Sequence, residues 1–264
     1  MTGSLQATDR LPTVPSANIL GVRVHAVTME STLATIHRWV ERGEQHYLIA
    51  APAHCLMDCQ RDEALRRVYN NAGLVTPDGM PVVWVLRLMG FRNVERVYGP
   101  DVMLAVCDRG LDKGYRHYLY GGTPGVVERL AQRLDRRFPG IEIVGMHTPP
   151  FPYSAEDDEA LVKKINGERP DIVWCALGAS KEEYWMSRHL GRLNAPALIG
   201  VGAAFDFHSG TKPQAPRWMM RIGLEWLFRV LCEPYRLGPR YLVNNPQFVW
   251  CIAIQALGRK QPPI

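Results

Sequence analysis

RHYLYGGTPGVVERLAQRLDRRFPGIEIVGM, residues 116–146, carries the reading that decides the fold. Arg116 to Tyr120 is a short strand of alternating and aromatic residues. Gly121-Gly122-Thr123-Pro124-Gly125 follows as a tight turn, and a proline close to the first helical position starts a helix over Val126–Phe138. Ile141 to Met146 is the next strand. Strand, helix, strand in about thirty residues is a βαβ unit, whose two strands run parallel.

The pattern extends both ways. Upstream, Ile19–Val27 alternates as a strand and Thr28–Arg42 has helical spacing at Leu33, Ile36 and Val40. Tyr47–Ala51 is a short strand, Cys55–Asn70 a helix, and Gly73–Pro77 leads into the turn Pro77-Asp78-Gly79. Helices over Pro81–Met89 and Asp101–Asp112 follow. Downstream come a helix at Ala155–Asn166, a strand at Ile172–Leu177, a helix at Lys181–Leu193 and a strand at Ala197–Val201. Apolar strands alternating with helices predict an α/β, Rossmann-like parallel sheet core with helices on both faces. From Pro213 the pattern turns purely helical, with proline breaks at 213, 216, 234, 239 and 246. The predicted organisation is a disordered polar tail over 1–17, a core over 18–212 and a short helical C-terminal appendage over 213–264.

The chain has 264 residues, 47% hydrophobic and 22% charged, with a net charge of +5. That suffices for a large core. The charge favours phosphates or anionic lipid heads over nucleic acid, for which no motif is present. Six scattered cysteines give no paired metal-ligand spacing and suit a reducing cytoplasm. The N-terminus lacks the apolar stretch of a signal peptide. Phe248–Leu257, FVWCIAIQAL, is about ten residues long, short of the roughly 20 that cross a bilayer as a helix.

In a parallel sheet, ligands bind beyond the carboxyl ends of the strands. Those ends carry Ala51–His54, Pro77-Asp78-Gly79, Gly121-Gly122-Thr123, Gly178-Ala179-Ser180 and Gly202-Ala203. Gly121, Gly122 and Thr123 could present backbone N–H groups to a phosphate, or serve only as a tight turn. Gly200-Val201-Gly202 lacks the third glycine of a dinucleotide fingerprint. Asp78 could take a proton from an attacking hydroxyl, although Asp-Gly is also good turn chemistry. Asp206 lies between two phenylalanines, where it would cap donors or orient a neighbour. His54 and His208 are isolated histidines near loop ends.

The C-terminal run interleaves Arg217, Arg221, Arg229, Arg236 and Arg240 with tryptophans and aliphatics, as suits phosphates held beside something apolar. A helix from Pro216 would set Arg217, Arg221, Glu225 and Arg229 four residues apart, with Glu225 paired to a flanking arginine.

Several pieces together resemble one family. They are Thr76-Pro77-Asp78-Gly79, Arg96-Val97-Tyr98-Gly99-Pro100-Asp101, Leu119-Tyr120-Gly121-Gly122, Leu177-Gly178-Ala179-Ser180-Lys181-Glu182-Glu183, Gly200 to Asp206, Ala215-Pro216-Arg217 and Gly223-Leu224-Glu225-Trp226. Their order over residues 18–245 is similar to that of the WecG/TagA/CpsF glycosyltransferases. The resemblance implies an inverting transfer of a sugar, ManNAc-type or a uronic acid. The donor would be a UDP-sugar and the acceptor a polyprenyl-diphosphate-linked saccharide, at the cytoplasmic face of the membrane in surface polysaccharide synthesis. It implies Asp78 as general base with Arg96 beside it. It also implies donor contacts from Gly121, Gly122, Thr123, Gly178, Ser180, Glu182, Glu183, Gly202 and Asp206. Arg217, Arg229, Arg236 and Arg240 would engage the acceptor diphosphate. Ala50-Ala51-Pro52 stands where the family often has Thr-x-Asn, which removes a hydroxyl. Glu182 stands where it usually has Gln, which bears on the donor sugar.

No Asp-x-Asp metal motif occurs, so arginines and backbone N–H groups are expected to stabilise the leaving diphosphate, with no metal and no cofactor beyond the donor itself. The apolar face of the appendage would meet lipid or a second copy of the chain. Two other readings stay open: a nucleotide-sugar-binding scaffold that has lost catalysis, and a nucleotide-dependent oxidoreductase.

Overall fold

The structure, a computed structural model, describes residues 14–150 and 155–258. β1 (Ser16–Ile19) and β2 (Val22–His25) form an antiparallel hairpin. The single strand predicted over Ile19–Val27 is instead split by a reversal at Leu20 and Gly21, with φ of 51° and 78°. A two-residue hairpin turn demands this left-handed backbone, and Gly21 adopts it without strain. Ser16 and Ala17 therefore belong to a strand and not to the predicted tail, whose residues 1–13 lie outside the described residues.

The chain then runs through α1 (Met29–Arg42), β3 (His46–Ala51), α2 (Ala53–Arg61), α3 (Glu63–Asn71), β4 (Leu74–Pro77), α4 (Met80–Leu88) and α5 (Gly99–Gly110). The predicted helix over Cys55–Asn70 is two helices. Asp62 breaks it, leaving helical geometry at φ −128° and accepting the Leu65 N–H to cap α3. Next come β5 (Arg116–Gly121), α6 (Val126–Arg137), β6 (Glu142–His147), α7 (Ala155–Glu168), β7 (Ile172–Ala176), α8 (Lys181–His189), β8 (Ala197–Gly200) and α9 (Ala204–Ser209).

β3 to β8 form one parallel sheet in the order β4-β3-β8-β7-β5-β6. Successive side chains face opposite sides. Leu48, Leu119, Trp174 and Ile199 pack with α1, α5, α6 and α9, whereas Tyr47, Ile49, Tyr120, Val173 and Leu198 pack against the other layer with α2, α3, α4, α7 and α8. Burial on both faces is why β3, β4, β5, β7 and β8 read as apolar runs, whereas the edge strand β6 is only partly covered.

Gly121 has a positive φ of 120°, and a Cβ there would lie 2.4 Å from the Ala176 carbonyl oxygen on the neighbouring strand. Gly121→Ala should therefore cost about 3 kcal/mol or more. Gly125→Ala, also at a positive φ (80°) but with nothing within 4 Å, should cost about 1 kcal/mol. Urea melts of the two variants check the contrast.

The C-terminal helices are α10 (Arg217–Arg221), α11 (Glu225–Cys232) and α12 (Pro234–Ala256). The continuous helix expected from Pro216 is cut at Gly223, whose φ is 79°. A side chain at that position would press on Trp84, 2.9 Å away. Pro239 and Pro246, expected to end helices, lie inside α12. Both are exposed, as are Tyr235 and Leu242, one turn before each. The carbonyls that lose their partners thus face water, where the loss is small. The opposite stripe, with Leu237, Tyr241, Phe248 and Cys251, is buried, and Phe248 and Cys251 join the core beside α2. Near the far end of α12, Gln255 accepts the Leu20 N–H at 2.8 Å and donates to the Asn18 carbonyl at 2.7 Å, clipping the helix to the hairpin turn.

Candidate active site

A cleft of about 570 Å³ opens between the carboxyl edge of the sheet and the helices α11 and α12. Its floor comes from the ends of β3, β4, β5, β7 and β8, through Ala50, Asp78, Gly122, Gly178 and Gly202. Its roof carries Arg229, Arg236 and Arg240. Of the residues expected from sequence, Thr123, Glu182, Glu183 and Asp206 also line it. Gly121, Ser180 and Arg217 do not, and Arg96 lines a small adjoining pocket shared with Asp78, His54, Arg229 and Tyr241.

Asp78 follows β4 on a loop held by three backbone contacts. Its N–H reaches the Ala51 carbonyl, its Oδ1 accepts the Gly99 N–H at 3.2 Å, and Arg96 Nε donates to its carbonyl oxygen. The carboxyl is pushed up to about 6, chiefly by burial, with Arg96 pulling it down and Glu225 pushing it up. Arg96 is the link to the appendage. Its guanidinium lies 4.2 Å above the Tyr98 ring and forms an ion pair with Glu225 at the start of α11. The predicted pairing of Glu225 with Arg221 or Arg229 is therefore replaced by a pairing across 129 residues.

This substitution of partners leaves Arg229 with no ion pair or hydrogen bond to its guanidinium among the described residues. Burial opposes its charge, but Tyr241, Glu225, Tyr98 and Asp78 outweigh that and hold it protonated. His54, buried and edge-on to Tyr241 at 5.4 Å, sits well below the usual imidazole range because of burial, Arg240 and Arg229, and is neutral. Arg240 donates to Asp58 on α2 at 2.8 Å, and Arg236 bonds Glu233 at 2.5 Å. Arg217 forms a two-pronged bond with Asp101 at 2.7 and 2.9 Å, outside the cleft. His208 bonds the Pro100 carbonyl.

Glu182 has a bracing task that sequence did not reveal. Its two oxygens accept the N–H groups of Gly178 and Gly202, both at 3.1 Å, tying the loops after β7 and β8 together. Burial, then the neighbouring Glu183, push its carboxyl well above the usual range. Glu183 accepts the Tyr69 hydroxyl at 2.9 Å. Glu182→Ala removes the shared acceptor of two part-buried donors and should destabilise the fold by about 1–2 kcal/mol. Glu182→Gln, which accepts at only one atom, should fall between it and wild type in thermal melts.

Lys212, Glu233 and the aromatic walls Tyr98, Phe205 and Phe228 also line the cleft and were not singled out from sequence. Lys212 falls where the chain leaves the core and reads as linker; only its place just after Asp206 hinted at more. Among the described residues, no three His, Cys, Asp or Glu side chains gather as metal ligands.

The cleft thus sets one carboxylate, tuned close to neutrality, beneath a roof of arginines. That arrangement can take a proton and stabilise phosphate charge in one place. Comparison with known proteins points the same way. A curated protein of Bacillus spizizenii is 28% identical over 217 residues, 81% of each chain. One of Bacillus subtilis is 31% identical over 196 residues, 73% of each. One of Staphylococcus aureus is 25% identical over 238 residues, covering 89% of this chain and 91% of its own. All three carry the name N-acetylglucosaminyldiphosphoundecaprenol N-acetyl-beta-D-mannosaminyltransferase. The sequence profile of one glycosyltransferase family matches residues 17–262, nearly the whole chain. With its parallel sheet and cationic cleft, this protein belongs to the glycosyl transferase WecG/TagA/CpsF family.

Proposed function

We propose that the protein transfers an N-acetylmannosamine-type sugar from a UDP-sugar to a polyprenyl-diphosphate-linked N-acetylglucosamine, with inversion and without a metal. The observation that carries this reading is Asp78, its carboxyl pushed up to about 6, in one pocket with Arg229, whose guanidinium has no ion pair among the described residues. At neutral pH Asp78 is mostly ionised and basic enough to take the acceptor hydroxyl proton. The acceptor oxygen bonds to the anomeric carbon as the glycosyl–phosphate bond breaks on the opposite face. UDP departs with the bonding pair, its charge met by arginines and loop N–H groups. The sugar and the lipid-linked acceptor are those in the relatives' names.

The outer face of α12 supports a membrane-surface location. Tyr235, Leu242, Val249 and Trp250 recur at near-heptad spacing and are 97, 68, 67 and 62% exposed. No described helix is long and apolar enough to cross a membrane. Such a stripe beside arginines suits a helix lying in the lipid interface over the cytoplasmic leaflet, where a lipid-linked acceptor is found.

Mass spectrometry of products from a panel of UDP-sugars, with a short-chain polyprenyl-diphosphate N-acetylglucosamine, tests the reading. The expected product gains one N-acetylhexosamine, with UDP-N-acetylmannosamine the preferred donor and turnover unchanged in excess EDTA. Product from a different sugar class alone would overturn the donor assignment. Loss in EDTA rescued by magnesium would overturn metal independence.

A further inference from the structure

Apart from Arg240, which is tied to Asp58, the cleft holds two cationic groups, and they differ. Arg229 shares a pocket with Asp78, and its guanidinium makes no ion pair or hydrogen bond among the described residues. At the Asp206 end, Lys212 and Arg236 converge on one carboxylate. Glu233 accepts from Lys212 Nζ at 3.2 Å and from Arg236 Nε at 2.5 Å. Lys212 is also 3.2 Å from Asp206, and all four side chains line the cleft. Arg236 stands in the first turn of α12, where a helix disfavours a cation unless an anion sits with it. Glu233 is that anion here, and its carboxylate lies where two cations and a helix start would receive a phosphate.

We propose that Lys212 and Arg236 form a diphosphate-binding subsite that Glu233 fills from within, and that Glu233 yields this place to the diphosphate of the donor. The proposal rests on the nucleotide-sugar reading above and adds to it a lysine from outside the arginine set and an internal competitor for the anion. Lys212 is held at Asp206, and neither Lys212 nor Arg236 lines the small pocket that Arg229 shares with Asp78. This favours the donor over the acceptor, although Arg236 also feels the charge of Arg229, so the two diphosphates would lie side by side in one cleft. An internal carboxylate that must be displaced weakens ground-state nucleotide binding and speeds release of UDP after transfer, because Glu233 returns as the product leaves.

Calorimetric titration with inorganic pyrophosphate and with UDP separates the possibilities. Glu233→Gln, which keeps the shape and loses the charge, should bind both roughly five- to tenfold tighter. Lys212→Met should bind both roughly tenfold weaker, and Lys212→Arg should stay near wild type. Unchanged or weaker binding in Glu233→Gln, or equal losses in Lys212→Met and Lys212→Arg, would overturn the subsite. A larger change in KM for the lipid acceptor than in UDP affinity would overturn its assignment to the donor. Wild-type protein that binds pyrophosphate with this mutational pattern but binds no UDP would leave the subsite standing and sink the nucleotide-sugar reading. UDP binding that ignores all three variants would do the reverse.

Discussion

Asp78→Asn is expected to lower turnover by about a thousandfold while the protein melts a few degrees higher than wild type. The two effects share a cause. Asparagine still accepts the Gly99 N–H but cannot take a proton from the acceptor hydroxyl. Folding raises the carboxyl of Asp78 from 3.8 to about 6, mainly through burial. Between those values the folded protein binds the proton more tightly than the unfolded chain. This residue's contribution therefore favours folding at low pH and is lost as pH rises through about 6. At neutral pH the ionised carboxylate costs on the order of 3 kcal/mol, which asparagine removes. Wild-type activity should fall as pH drops below about 6, because the base becomes protonated. Initial rates against pH, with calorimetric melts of both proteins, test the set. An Asp78→Asn enzyme retaining a tenth or more of wild-type turnover would end the case for this base.

Arg229→Gln is the second large effect. It removes the one roof arginine whose guanidinium makes no ion pair or hydrogen bond among the described residues and is therefore open to a bound anion. A drop of about 10²–10³ in kcat/KM for the acceptor is expected, the scale of losing one preorganised charge at a developing anion. The same substitution removes a charge that holds the Asp78 carboxyl down. The acid limb of the pH–rate profile should therefore move to higher pH. A merely structural arginine would lower activity without moving that limb. Arg217→Gln, whose partner is Asp101 at the surface, is the natural control and should leave both readings near wild type.

The sheet was legible because its inner strands are buried on both faces, which leaves apolar runs that need no partner to be recognised. Turns at the carboxyl edge could be read for the same reason: glycine at Gly121 and Asp-Gly at Asp78 answer to local backbone geometry. What stayed hidden depends on distant partners. The helix break at Gly223 reflects the approach of Trp84, and α12 continues through Pro239 and Pro246 because its other side is buried against the core. Arg217 and Arg229 look alike in sequence. One meets Asp101 and the other is left open because Glu225 turns to Arg96. Charges of the same kind at helical spacing carry no record of which will be neutralised. Lys212 and Glu233 were missed on the same ground: each has a charged neighbour in sequence, Asp206 and Arg236, but their meeting with one another across 21 residues leaves no local mark.

The clip between Gln255 and the hairpin acts like the far bearing of a lever. Arg236 and Arg240 ride near one end of α12, and Gln255 fixes it some 15 to 19 residues away, about 22 to 28 Å along the axis. Pro239 and Pro246, both between Arg236 and Gln255, remove rungs of the helical ladder, so the shaft itself is softened. A shaft supported at one end would let small angular slack become ångström-scale wander of the guanidinium groups. Two short hydrogen bonds to the turn of the hairpin take up that slack. Alignment over the cleft is thereby set in part by residues that never approach the substrate.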